Sequence, residues 1–110
     1  MLAVSGVVRI TDDPQEKPFN TGFYLNFMAE SKDPFKKGGR KYYKVALYVG
    51  DQDVTTARKE IIKGACIWIR HGDLDGNRST NAQYNTVFNT VKCSWKEIEV
   101  LVMTLRGDLQ

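Results

Sequence analysis

The ten residues 41–50, KYYKVALYVG, constrain this chain more than any other stretch, because they read as a β-strand with two different faces. Side chains alternate across a strand, so Tyr43, Val45, Leu47 and Val49 point one way and Tyr42, Lys44, Ala46 and Tyr48 the other. The first set is a core face. The second puts a lysine between two aromatic rings, where a solvated face ordinarily carries small polar groups. Aromatics also suit a pleated surface on packing grounds alone, so the pattern admits a purely structural reading. The strand, however, follows the basic run Lys36, Lys37, Arg40 and Lys41. Rings interleaved with cations suit a polymer that is itself aromatic and anionic, and single-stranded nucleic acid is such a polymer. Bases stack on rings at ~1–3 kcal/mol each, while phosphates meet lysine and arginine.

Charge supports this reading by its distribution more than by its total. The net charge is only +3, but six of the sixteen basic residues, Lys32, Lys36, Lys37, Arg40, Lys41 and Lys44, fall within thirteen positions. That concentrates positive potential on one hairpin. The alternative is a solvated loop whose lysines only confer solubility. With 110 residues the chain is expected to form a single domain, ordered over about 3–105. No apolar run approaches the ~20 residues needed to cross a bilayer, and the N-terminus lacks the pattern of a secretion signal. A cytoplasmic protein with no membrane association is the default expectation. Cys66 and Cys93 match no metal motif at their spacing, and both are expected to act as small buried hydrophobes.

The remaining chain supplies further strands and one helix. Residues 3–11 read as a first strand with Gly6 at its middle, where a glycine marks a bend or bulge. Residues 12–20, with two prolines and several charges, read as a loop. Residues 21–30 resume strand character, with Phe23, Leu25, Phe27 and Ala29 inward and Tyr24, Asn26 and Met28 outward. Residues 31–40 read as a flexible loop in which Phe35 is either a clamp over a base or a ring tucked back on the body. Residues 51–63 carry a helical pattern through Val54, Ala57, Ile61 and Ile62, with Asp53 as N-cap and Gly64 as terminator.

Residues 65–74 return to strand, with Ile67 and Ile69 on one side and Cys66, Trp68 and Arg70 on the other. Trp68 beside Arg70 repeats the pairing of ring and cation, or else packs against the helix or a partner subunit. Residues 75–82 read as a polar turn region and 84–93 as another strand, where alternation leaves open whether Val87 or Phe88 faces inward. Residues 95–105 alternate apolar groups on both sides, as at a subunit contact.

The resulting order is three strands, a short helix and two strands. That is the order of the OB-fold, an all-β, five-stranded Greek-key barrel with its helix between strands three and four. The chain also resembles the bacterial and phage single-stranded DNA-binding proteins, from about Val4 to Val102. Gly6 with Asp13-Pro14 resembles the family's opening strand and turn. Residues 23–29 resemble its second strand, and 42–50 its strand running from an aromatic and a basic residue to an aromatic and a glycine. Lys63-Gly64, Ile67-Trp68-Ile69 and Gly72-Asp73-Leu74 resemble the family's segment after the helix.

By that resemblance Tyr42 and Tyr48 fall on two stacking places, Lys44 lies between them, and Phe35 lies near a third. The resemblance implies single-stranded DNA as partner in replication, recombination or repair, together with other proteins of those processes. It implies a homodimer or homotetramer, found in the nucleoid or in a host cytoplasm. Two departures stand out. The hairpin after the fourth strand, here 75–82, is short and lacks an aromatic, for which Tyr84 is a partial substitute. No acidic, glycine-rich tail follows Arg106, which implies a shortened form or a phage or mobile-element member.

An enzyme would need clustered carboxylates for a metal, with a base or an arginine placed for phosphate. The thirteen acids lie mainly in loops and at element ends, Asp73 and Asp75 being the nearest to a pair, and His71 is the single histidine. A non-catalytic protein without metal or cofactor is expected. The rivals are a protein-interaction adaptor of the primosomal type and an RNA-binding module. The site assigned from sequence comprises Tyr42, Tyr48, Lys44, Phe35, Lys36, Lys37, Arg40, Lys41, Trp68 and Arg70.

Overall fold

The structure, a computed structural model, describes residues 2–32, 37–81 and 86–101. Among the described residues seven strands run in the order β1 (Leu2–Ile10), β2 (Gln15–Phe19), β3 (Gly22–Lys32), β4 (Arg40–Val49), β5 (Cys66–Asn81), β6 (Thr86–Ser94) and β7 (Ile98–Val100). Helix α1 (Val54–Glu60) lies between β4 and β5, led by a 3-10 turn at Asp51–Asp53, and a second such turn, Trp95–Glu97, precedes β7.

Five strands close a barrel in the order β1, β3, β4, β6, β5 and back to β1. All pairings are antiparallel except β4 with β6, which is parallel. This is the OB topology, with its helix between the third and fourth barrel strands, as the sequence predicts. Alternation decides the core. Phe23, Leu25, Phe27 and Ala29 of β3 and Val45, Leu47 and Val49 of β4 are buried with Val8, Ile10, Ile67, Ile69, Val91 and Cys93. Tyr43 is half-buried against this core. Ala57 and Ile61 cover one end of the barrel. The other end holds a cavity of about 280 Å³ lined by Val4, Tyr43, Leu74 and Val91 among others.

Gly6 sits, at φ +154°, where the β1–β5 register shifts, Val4 pairing with Gly72 but Gly6 with Ile69. The predicted bulge is there. Asn20, at φ +53°, makes the tight turn from β2 to β3, a left-handed position that asparagine tolerates.

Several sequence expectations need correction. Residues 15–19 are not loop but strand β2, which pairs with β3 from Gln15↔Asn26 to Phe19↔Gly22. Two prolines suggested a loop, yet β2 is an edge strand, where the N–H that Pro18 lacks need not pair. β2 and β1 share β3 end to end, and the join is closed by the connection between them. The Met28 N–H donates to Asp12 Oδ1 at 2.8 Å, and the Met28 carbonyl accepts from the Thr11 N–H at 2.9 Å.

Residues 75–81 are not a turn either. β5 continues through them, paired with β6 as far as Asn81↔Thr86, with a register shift between Asp75 and Arg78. Polar composition over Asp-Gly-Asn concealed a bulged strand, so the hairpin is long rather than shortened. Tyr84 lies outside the described residues.

The helical segment is shorter than its apolar pattern suggests. Asp53 occupies the N-cap without a side-chain cap bond, and the helix stops at Glu60. Gly64 follows at φ +91°, and its N–H donates to the Ile10 carbonyl at 2.8 Å. Ile61 turns into the core while Ile62 is exposed. Of the segment 95–105, only Ile98–Val100 is strand among the described residues, with Ile98 buried and Leu101 exposed. Cys93 is buried, and burial pushes its thiol up to about 12, the Glu97 carboxylate adding to the effect. Cys66 is only half-buried, on the outer side of β5.

Candidate nucleic-acid interface

The outer face of β3 and β4 is built by the alternation that builds the core. Register sets Tyr24 opposite Tyr48, Asn26 opposite Ala46, Met28 opposite Lys44 and Glu30 opposite Tyr42. On one flank β2 brings Lys17 opposite Tyr24. On the other, the parallel strand β6 brings Ser94, Lys92 and Thr90 opposite Tyr48, Ala46 and Lys44. The result is a continuous surface across four strands, with cations at Lys17, Lys44 and Lys92 and rings at both ends of β4.

At the Tyr48 end three rings meet edge to face. Centroids of Tyr24 and Tyr48 are 5.3 Å apart, those of Phe19 and Tyr24 5.2 Å, and those of Phe19 and Tyr48 6.1 Å, with interplanar angles of 63–87°. Such edge contacts are worth ~0.5–1.5 kcal/mol each beyond buried area and hold the rings in place. Phe19 is 48% exposed, a large apolar ring held at the surface. Tyr42 is equally exposed and lies ~20 Å away at the strand rise per residue. Lys44, half-buried, stands between them.

Near Tyr42 the surface turns basic. Arg40 and Lys32, paired across the two strands, lie on the same face as Tyr42 by alternation, while Lys41 has the opposite phase. Lys37 is exposed in the turn. Glu30 tempers Arg40 at 3.9 Å. Phe35 and Lys36 lie outside the described residues.

Trp68 and Arg70 stand on a different wall. Trp68 is paired with Val7 of β1 and Glu99 of β7, away from the rings of β3 and β4. Arg70 donates from Nη2 to the Lys96 carbonyl at 2.6 Å. The fold thus brings together Tyr42, Lys44 and Tyr48, sets Arg40 beside them, and holds Trp68 and Arg70 apart.

Sequence reasoning missed Phe19, Lys17 and Lys92 and left Tyr24 outside the site. Tyr24 was legible: it faces outward on a strand that forms a hairpin with β4. Phe19 was hidden by the loop reading of its strand.

β2 is anchored from its other side. Arg58 of α1 donates from Nε and Nη2 to Glu16 Oε2 and Oε1, both at 2.8 Å, and its guanidinium lies 5.5 Å from the Phe23 ring centroid. The Arg58 hydrogen bond holds the Glu16 carboxyl below its ordinary value, and Glu16 in turn raises Arg58. Among the described residues no group of three His, Cys, Asp or Glu could hold a metal, and no helix is long and apolar enough to cross a membrane.

The sequence matches no family model and no curated protein. Its architecture does match solved structures. A Plasmodium falciparum SSB in complex with ssDNA superposes with a TM-score of 0.63 at 13% identity, over 92% of this chain and 93% of that one. The mitochondrial single-stranded DNA-binding protein of S. cerevisiae gives 0.57 at 18% identity, over 90% and 92%. A small single-stranded DNA-binding protein from Streptomyces coelicolor gives 0.53 at 10% identity, over 92% and 90%. The chain is an OB barrel of the form these proteins share, along nearly its whole length.

Proposed function

We propose that this chain is a non-catalytic, largely sequence-independent single-stranded DNA-binding protein. The observation that carries the reading is the outer face of β3 and β4, where exposed and half-exposed rings alternate with cations on an OB barrel. Stacking on Tyr42, Tyr48 and the neighbouring Phe19 and Tyr24 holds the bases, whatever their identity, because every base has a π-face. Lys44, Arg40, Lys32 and Lys37, with Lys36 of the same basic run, neutralise phosphates, while Lys41 points to the other side of its strand. The fold shared with three single-stranded DNA-binding proteins, one of them seen with DNA, adds support. Such a protein would coat exposed strands in replication, recombination or repair, inside the cell.

A homo-oligomer belongs to the same reading. β1 pairs with β3 only at Arg9 and Ile10, so one edge of Leu2–Val8 has no strand beside it among the described residues, and Val7 and Trp68 are exposed nearby. An unpaired edge next to apolar surface favours association of two barrels.

The test is quenching of tyrosine and tryptophan emission by oligo-dT across a salt series, with duplex DNA and an RNA oligomer as competitors. Strong quenching with steep salt dependence and little competition from duplex is expected. No quenching at low salt would overturn the reading in favour of a protein-binding adaptor, and preferential displacement by RNA would move it to RNA. Light scattering with and without oligo-dT gives the oligomeric state.

A further inference from the structure

The ring cluster does not end at the barrel's rim. Beside Tyr48 the outer face opens into a groove of about 610 Å³, whose walls include Tyr48, Asp51, Asp53, Ser94, Trp95 and Lys96. That volume is of the size that takes a small organic group. Two of the walls are aromatic. Tyr48 and Trp95 are both half-buried, Tyr48 held by its ring contacts and Trp95 packed on the core.

The charge of this groove is opposite to that of the far end of the face. Asp51 is exposed and Asp53 half-buried. Asp53 stands at the N-cap of α1 yet makes no side-chain cap bond, and neither carboxylate has an ion-pair partner among the described residues. Ionised carboxylates only accept hydrogen bonds. They repel phosphate, and Lys96 among the same walls offsets only one of the two negative charges, so the backbone of a bound strand does not belong against them. A flat ring whose edge donates fits between aromatic walls and two acceptors. The amino groups of cytosine, adenine and guanine are such donors, whereas thymine presents carbonyls in their place.

We propose that this groove takes one base of the bound strand and favours a base with an exocyclic amino group over thymine. The inference rests on the proposed single-stranded DNA binding and adds a position to it. Sequence tolerance then holds along the rings but not at this end, and the strand is positioned by base-edge contacts here and by phosphate contacts at the Arg40 end.

The test measures binding of an oligo-dT of about eight nucleotides, within the ~4–16 that an OB fold occupies. A single dC is moved through each position, against the parent and the D51A/D53A double variant, which removes both acceptors and, at Asp53, no cap bond. The parent should gain about fivefold when dC reaches one terminal position, the low end of what one base-edge pair discriminates. The double variant should lose that gain while binding plain oligo-dT at least as tightly, two repelling charges having gone. In W68F, which leaves Trp95 as the sole tryptophan, emission should be quenched by the same oligonucleotide. Binding of oligo-dT with no gain at any position, a gain that survives D51A/D53A, or no quenching in W68F would overturn this inference and leave the DNA-binding reading intact. Failure of the parent to bind oligo-dT at all would remove both.

Discussion

Two walls of the barrel carry the same sequence signature and serve it differently. On β4 a lysine lies between Tyr42 and Tyr48, and on β5 Arg70 lies two residues from Trp68. In the first wall the neighbouring strands add rings, so that Phe19, Tyr24 and Tyr48 touch within 5.2–6.1 Å, and the lysine stays between the two ends of the array. In the second, Trp68 faces Val7 and Glu99 across its strand pairs, and the Arg70 guanidinium is engaged by the Lys96 carbonyl. A ring spaced two residues from a cation therefore identifies an outward face. Which outward face it is, and whether the ring has company, depends on strands far away in the chain.

The sharpest way to break this contrast is a pair of substitutions. Tyr48→Ala should weaken oligo-dT binding by about 2–3 kcal/mol, the upper part of the range for one stack, because it also releases Phe19 and Tyr24. Trp68→Ala should change affinity less than twofold while altering the oligomeric state seen by light scattering. Equal losses of DNA affinity would mean that the two walls form one binding surface.

Phe19→Ala comes next, with a loss of about 1 kcal/mol in affinity and little change in melting temperature, since this ring is half exposed. An unchanged affinity would reduce Phe19 to packing for the two tyrosines. Lys44→Ala should then lower the slope of log affinity against log salt by ~0.7, the share of one phosphate contact on a single strand, and Arg70→Ala should leave the slope alone. Matching slopes for both variants would erase the electrostatic half of the contrast.

The smallest effect is expected at Glu16. Its carboxyl is held below the ordinary 4.5 chiefly by the Arg58 hydrogen bond. A depressed folded value means the stabilising contribution is present above the unfolded pKa and disappears as pH falls through the folded one. Both groups are exposed, so the shift in melting temperature between the parent and Glu16→Gln should be slight at neutral pH and vanish in acid. A difference that persists in acid would show that the pair acts through packing rather than charge.

The core and the closure of the barrel were legible because period-two alternation records burial directly. The inward residues of β3 and β4 are the ones alternation selects, and Gly6 marks the bulge it suggests. Two strands were not legible, for opposite reasons. β2 carries a proline that only an edge strand accommodates, and edge position is a property of the sheet rather than the segment. The extension of β5 through Asp75, Gly76 and Asn77 contains residues typical of turns, and only pairing with β6 makes them a bulged strand. The site followed the same division. Tyr42, Lys44 and Tyr48 share one strand and were found together, whereas Phe19 reaches them through a strand read as loop. The groove beside Tyr48 joins residues of the β2–β3 turn, the first 3-10 turn and the second, a meeting that no single stretch announces.

The parallel seam between β4 and β6 has a consequence in time. Its partners, such as Lys44 and Thr90, are 46 positions apart in the chain, 90 less 44. The β3–β4 pairing, by contrast, is a local hairpin that can form without the rest of the barrel. Contacts between distant segments must overcome the entropy of closing the intervening loop, and barrels rich in them fold in milliseconds to seconds. Lys92 and Ser94 of β6 complete the surface beside the rings only across this long loop, so assembly of the proposed DNA-binding face is tied to closure of the barrel rather than to the hairpin alone.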